Sequence, residues 1–205
     1  MNWTRIEQYT LAIDAVDALK YYTKHLGLRY HNYLHVATMY EYLHNTQEPY
    51  DEALDWAVLF HDIVYDKEPE KEKRSAVMLE FNGRIPKYGL DEDVINRGYA
   101  MIMATADHIV SSPELSAIVR ADLHGLADPI TTIRNFANIM EESCNLYSIE
   151  PKEYAAASIN FMTGLRERVS KNVTLDEKHS EFYKSVLNGI DLTIKFAKVI
   201  TGEPT

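Results

Sequence analysis

The chain has 205 residues, 46% of them hydrophobic, enough to build a sizeable core as one domain, since a chain of this length hides roughly 70% of its unfolded surface on folding. Its 31 acidic residues outnumber 21 basic ones, and the net charge of −10 argues against non-specific binding to a nucleic acid polymer or an anionic membrane, because both depend on positive potential. The lone Cys144 can form no internal disulfide, and nothing reads as a signal peptide or membrane span, so a reducing cytoplasm is the expected location.

In chain order, Thr4 to Leu26 places Ile6, Tyr9, Ile13, Val16, Leu19 and Tyr22 near helical spacing, with Gly27 as the stop and His25 at the surface or in a cap. A second helix opens around Asn32, a candidate N-cap, and carries Val36, Met39, Tyr40 and Leu43 on its apolar stripe. If it extends back to His31, then His31 and His35 share a face; if Asn32 caps it, only His35 is firmly placed. His44 falls at its fraying end and is expected in solvent. Glu48-Pro49 begins a third helix through Leu54, Ala57, Val58 and Phe60 to His61-Asp62. Lys67 to Arg74 reads as a charged loop into a fourth helix at Ser75-Ala76-Val77.

Asp91 caps a fifth helix with Val94, Ile95, Tyr99, Ile102 and Met103 inward, ending near Asp107-His108. Ser112-Pro113-Glu114 starts a sixth, in which Asp122 shares the apolar face with Ile118 and Val119. Asp128-Pro129 begins a seventh through Ile133, Phe136, Ile139 and Met140. Glu150-Pro151 begins an eighth through Tyr154, Phe161 and Leu165. A last helix from about Asp176 carries Phe182, Val186, Ile190, Ile194 and Phe196 before Gly202. No alternating run is long enough for a sheet. The expectation is an all-α, single-domain bundle of about eight to nine helices.

Four of these positions ask for a partner. His61 and Asp62 end an apolar helix, His35 lies on the preceding helix, and Asp122 on the apolar face of a later one. A carboxylate removed from water costs several kcal/mol unless a cation compensates it, and a metal is an economical cation where an imidazole stands beside it. Two nitrogens, two carboxylates and no thiolate suit Mn, Fe, Co, Ni, Zn or Mg better than a soft ion. Two aspartates would neutralise a divalent cation and leave coordination positions for water and a phosphate oxygen.

The order His35, His61 with Asp62, then Asp122 resembles the HD superfamily of metal-dependent phosphohydrolases, over roughly Arg29 to Asp122. More narrowly, Tyr30-His31-Asn32 with His35, the run Phe60 to Asp66, Glu72 before Ser75-Ala76, and Ala121-Asp122-Leu123 are similar to a little-characterised group of predicted HD phosphohydrolases. The resemblance implies an HD-type metal core over about 29–122, completed by helices over 129–200. It also implies a small phosphorylated substrate, expected to be a nucleotide or related metabolite. The alarmone-hydrolysing branch has Glu-Asp shortly after its His-Asp pair; here those places hold Tyr65 and Asp66, which argues against alarmone hydrolysis.

Asp66 and Glu72 are the candidates to orient the attacking water as a base. Arg29, His31, Asn32, Arg74 and His108 are the candidates to contact substrate, with His31 and His108 also able to hold a second ion. Of the 14 tyrosines, Tyr30, Tyr33 and Tyr65 lie nearest the site for stacking on a base. Two alternatives stay open: a metal- and nucleotide-binding regulatory module, and a di-iron HD-type oxygenase. The apolar surfaces of the last helices leave a homodimer open.

Overall fold

The computed structural model describes residues 21–22, 28–86 and 88–204. Among them the chain is all-helical, with eight α-helices, three short 3-10 turns and no strand. The helices are α1 (Tyr33–Asn45), α2 (Glu52–Phe60), α3 (Lys71–Gly83), α4 (Glu92–Asp107), α5 (Ser116–Leu123), α6 (Pro129–Tyr147), α7 (Pro151–Leu175) and α8 (Ser180–Thr201). Of the helix expected over 4–26, only Tyr21 and Tyr22 lie within the described residues, and both are helical; His25 and Gly27 lie outside them. No helix among the described residues is long and apolar enough to cross a membrane.

The helices group into two compact units interleaved along the chain. Among the described residues, one takes 21–22, 31–86, 88–106 and 114–122, and the other 28–30, 107–113 and 123–204. In the first, α2 is buried on every side from Ala53 to Phe60, as an all-round apolar helix should be. Val36, Met39 and Leu43 of α1, Leu79 of α3, Ile95 and Ile102 of α4, and Ile118 and Val119 of α5 supply the rest of its core. Gly98 lets α4 pass close to its neighbours: a Cβ there would sit 2.7 Å from Leu79 Cδ2 and 3.4 Å from the Ala53 carbonyl.

Local contacts settle three of the helix starts. The α1 start is settled by Asn32, whose side chain accepts from the Leu34 amide at 2.8 Å, so His31 precedes the helix. Helix α2 begins after Asp51, whose carboxylate accepts from the Ala53 amide, and not at Pro49, because Glu48 is drawn away to a buried arginine. Helix α3 begins at Lys71 instead of Ser75, so the second half of the charged run is helical. His44 also departs from expectation: it is half-buried, and its Nδ1 has no hydrogen-bond partner among the described residues.

In the second unit α7 and α8 pair along their length, and α6 packs beside them. Gly189 of α8 is required where it stands, since a Cβ there would lie 1.9 Å from the Leu126 carbonyl oxygen. Thr132 takes the buried place expected of Ile133, its hydroxyl donating toward the Gly125, Leu126 and Asp128 carbonyls, while Ile133 and Phe161 are exposed. Buried Asn172 clamps the turn after α4, accepting from the Val110 amide at 2.9 Å and donating to the His108 carbonyl at 2.7 Å. That turn includes His108 at φ 58°, a conformation disfavoured for a side-chain-bearing residue.

Helix α2 also buries a carboxyl that sequence did not flag. Asp55 is fully enclosed, accepts from the Tyr40 hydroxyl at 2.5 Å and lies 3.5 Å from the Tyr50 hydroxyl. Burial raises its pKa to about 7, against the lowering effect of the two tyrosines. A raised carboxyl pKa contributes stability that is fully present below the unfolded value and is lost as pH rises through the folded one. Stability should therefore fall by about 2 kcal/mol between pH 5 and pH 7 from this group alone, at ~1.4 kcal/mol per pH unit and bound proton. Urea unfolding across that range should show the slope in the wild type and its loss in D55N; equal slopes would refute the assignment.

Candidate metal centre

The first unit brings the four expected ligands together. His35 Nε2 from the first turn of α1 lies 3.2 Å from Asp122 Oδ1 on α5 and 3.8 Å from Asp62 Oδ2. His61 Nε2 lies 3.1 Å from Asp62 Oδ2 and 3.9 Å from Asp122 Oδ1. Ligand atoms of His35, His61 and Asp62 all fall within 4.8 Å of one another. The two rings meet edge to face at 5.2 Å. Both imidazoles are buried and both carboxylates are nearly so, with side chains 16% and 15% exposed.

Local chain geometry aims these atoms inward. His61 caps the C-terminus of buried α2, and its Nδ1 donates to the Val58 carbonyl at 2.9 Å. That bond fixes the ring, leaving Nε2 turned toward the Asp62 and Asp122 carboxylates. His61 Nε2 is fully buried and has no hydrogen-bond partner among the described residues, although Asp62 Oδ2 is close. Proximity without alignment is what donors converging on a common cation produce, and an orphaned buried nitrogen is otherwise costly. The donor set therefore fits a divalent ion of intermediate or hard character.

The buried charges of the cluster shift one another's titration. Burial pushes the His61 pKa down, but Asp62 and then Asp122 outweigh it and raise it to about 9. Burial also opposes ionisation of Asp62, yet His61, followed by His31 and His35, holds its carboxyl well below the usual range. One buried tyrosine joins the cluster: Tyr22 donates from its hydroxyl to the Leu59 carbonyl at 3.0 Å, and burial followed by the Asp62 charge pushes its pKa up. Sequence offered it only as a packing residue of the first helix.

The other candidates have engagements of their own. His31 adjoins it: its ring meets His35 edge-on at 6.3 Å and stacks on Tyr65 at 3.9 Å with 17° between the planes. Asn32 is spent on capping α1. Asp66 receives a bidentate pair from Arg74, at 2.9 Å and 2.5 Å, and accepts from the Glu68 amide. Arg74 thereby lowers the Asp66 carboxyl to about 2. Arg74 also donates to the Pro69 and Glu68 carbonyls, so the pair braces the 66–70 loop. Glu72 sits half-buried in the first turn of α3.

Arg29 and His108 belong to the second unit, where Arg29 Nε donates to Glu141 at 3.0 Å and the Asn172 clamp holds the His108 backbone. Of the tyrosines weighed for base stacking, Tyr65 has its ring engaged by His31 and by Lys71, whose Nζ lies 3.9 Å from the ring centroid.

Sequence also missed a buried support beneath Asp122. Arg120, two residues earlier on α5, is 3% exposed at its side chain and donates to Ser116 Oγ, the Tyr42 hydroxyl and Glu48. It ties α5 to α1 and so links the helices that carry Asp122 and His35. Comparison with protein-family models, curated proteins and solved structures finds no match to the chain.

Proposed function

We propose that the chain is an HD-type metal-dependent phosphohydrolase that cleaves a phosphate ester or anhydride of a small metabolite, expected to be a nucleotide or a relative of one. The observation that carries this reading is the convergence of two imidazole nitrogens and two carboxylates, with His61 Nε2 buried and unsatisfied among the described residues. Their order along the chain is the HD order. A bound Mn, Fe, Co, Ni, Zn or Mg ion would lower the pKa of its water toward ~7 and withdraw charge from the phosphoryl group.

The chain's own residues supply the rest. His35, His61, Asp62 and Asp122 hold the ion, and the Val58 carbonyl keeps His61 in its ligating orientation. Glu72 is the carboxylate we assign to take a proton from the attacking water, because Asp66 is committed to Arg74 and is a weak base at a pKa of about 2. His31 faces the centre from the side and can donate to a phosphoryl oxygen. A cytoplasmic location and a homodimer through the last helices are part of the same proposal, exposed Phe161 and Val199 offering apolar surface for the latter.

The engagement of Asp66 gives some support to the alternative of a regulatory module that binds metal and nucleotide without robust turnover. Phosphate release from a panel of nucleotides and other phosphate esters, with each metal restored in turn, separates the two. Turnover of one substrate class supports the hydrolase; saturable binding without turnover supports the module. Two irons per chain would instead mark the oxygenase.

A further inference from the structure

Where α2 ends, the chain leaves the helix and still has to present Asp62 to the cluster. A continued helix would hand the Asp62 amide to the Val58 carbonyl and the Ile63 amide to the Leu59 carbonyl. Both bonds are diverted here. The Val58 carbonyl instead accepts from His61 Nδ1 at 2.9 Å, and the Ile63 amide turns to the Phe60 carbonyl at 3.1 Å. The Leu59 carbonyl and the Asp62 amide are thus the backbone groups that this helix end leaves to be met from outside.

Tyr22 meets both. Its hydroxyl donates to the Leu59 carbonyl at 3.0 Å. The Asp62 backbone hydrogen-bonds the same hydroxyl and acts to lower its pKa, as an amide donating to the phenolic oxygen does. One oxygen therefore bridges the carbonyl of residue 59 and the amide of residue 62, in the place that a helical hydrogen bond would have taken. The contact is buried, with Tyr22 4% exposed, and the charges of both Asp62 and Asp122 act on the hydroxyl, which puts it beside the carboxylate pair. All of these groups belong to the first unit.

We infer that Tyr22 is a positioning residue of the metal centre: by bridging the Leu59 carbonyl and the Asp62 amide, its hydroxyl sets the backbone from which the Asp62 carboxylate reaches the ion. This rests on the metal-dependent reading of the site. Tyr22 acts through Asp62, the ligand residue whose own amide it holds, and so extends the shell of outer partners in which the Val58 carbonyl orients His61.

The test titrates Co(II) into the stripped full chain of wild type, Y22F and T105V, reading both the affinity and the visible absorption of the bound ion, with circular dichroism and urea unfolding of each protein. Y22F removes the bridging hydroxyl alone. T105V removes another buried hydroxyl of the first unit, one that bonds the Ile102 carbonyl at 2.8 Å on α4. Y22F should bind Co(II) about 10–100-fold more weakly, the usual cost of losing an outer-shell partner of a metal ligand, and its absorption at saturation should differ from that of the wild type. T105V should match the wild type in both. A wild-type spectrum in Y22F whatever its affinity, equal changes in Y22F and T105V, or a Y22F chain that does not fold overturns this inference alone. Failure of the wild type to take up Co(II), an ion that this donor set suits, overturns the metal-dependent reading and this inference with it.

Discussion

Replacing Asp62 by alanine is expected to abolish metal uptake and phosphate release together. Asp62 Oδ2 lies 3.1 Å from His61 Nε2 and 3.8 Å from His35 Nε2, so it stands within 4 Å of both imidazoles and is the carboxylate nearer to His61. Without it a divalent cation would enter a buried site with one compensating charge in place of two, and desolvation of the ion would go largely unmet. Loss of an outer-shell partner of a metal ligand commonly costs 10–100-fold in affinity, so loss of a ligand carboxylate should cost at least about 100-fold. D62N preserves the shape and removes the charge, and should fail nearly as badly. The folded chain should survive either change, since in the metal-free protein His61 can give up its proton once the Asp62 charge is gone. A D62A protein that keeps one ion per chain and full turnover contradicts the assignment.

Replacing Glu48 by alanine should destabilise the fold by about 3–5 kcal/mol, the usual cost of removing one member of a buried ion pair. Arg120 is 3% exposed at its side chain and Glu48 17%, so the remaining guanidinium would keep Ser116 and Tyr42 but lose its carboxylate contact with Glu48. The double variant E48A/R120M should recover much of that loss, because no buried charge is left uncompensated. Urea unfolding of the three proteins gives the energies, and metal titration gives the consequence for the site. Since Arg120 ties α5 to α1, E48A should also weaken metal binding through Asp122 and His35. A loss under 1 kcal/mol would mean that the pair is solvent-relaxed and holds nothing in place.

Three of the four candidate ligands were legible in sequence because they broke a pattern. His61 and Asp62 end an apolar helix, and Asp122 sits on an apolar face, so periodicity marks them as polar groups that ask for a partner. His35 followed from its helix, and the capping role of Asn32 settled its register. The supporting residues break no pattern. Asp55 lies in a helix first turn, where an acid is ordinarily favoured by the helix dipole, and only the burial of α2 on every side turns it into a group with a pKa of about 7. Arg120 looks like any charged residue on a short helix until Glu48 reaches it from 72 positions away.

The same limit explains the candidates that moved. Asp66 reads as a free carboxylate because nothing in the spacing reveals that Arg74, one helical turn into α3, closes back on it. The contact between His31 and Tyr65 spans a loop and two helix ends, so no period encodes it. Helix starts shifted for a simpler reason: Asp51 outcompetes Pro49 as a start signal because its side chain satisfies an amide that proline cannot.

The most direct test of the metal centre is the metal content of the chain purified without chelator, followed by calorimetric titration of the stripped protein in buffers of different ionisation heat. The account predicts one divalent ion per chain, with a proton released per ion bound below pH ~9, because an ion must displace the proton held on His61. No bound metal, or binding that releases no proton and is untouched by D62A, would contradict it and leave the cluster as two buried histidine–aspartate pairs.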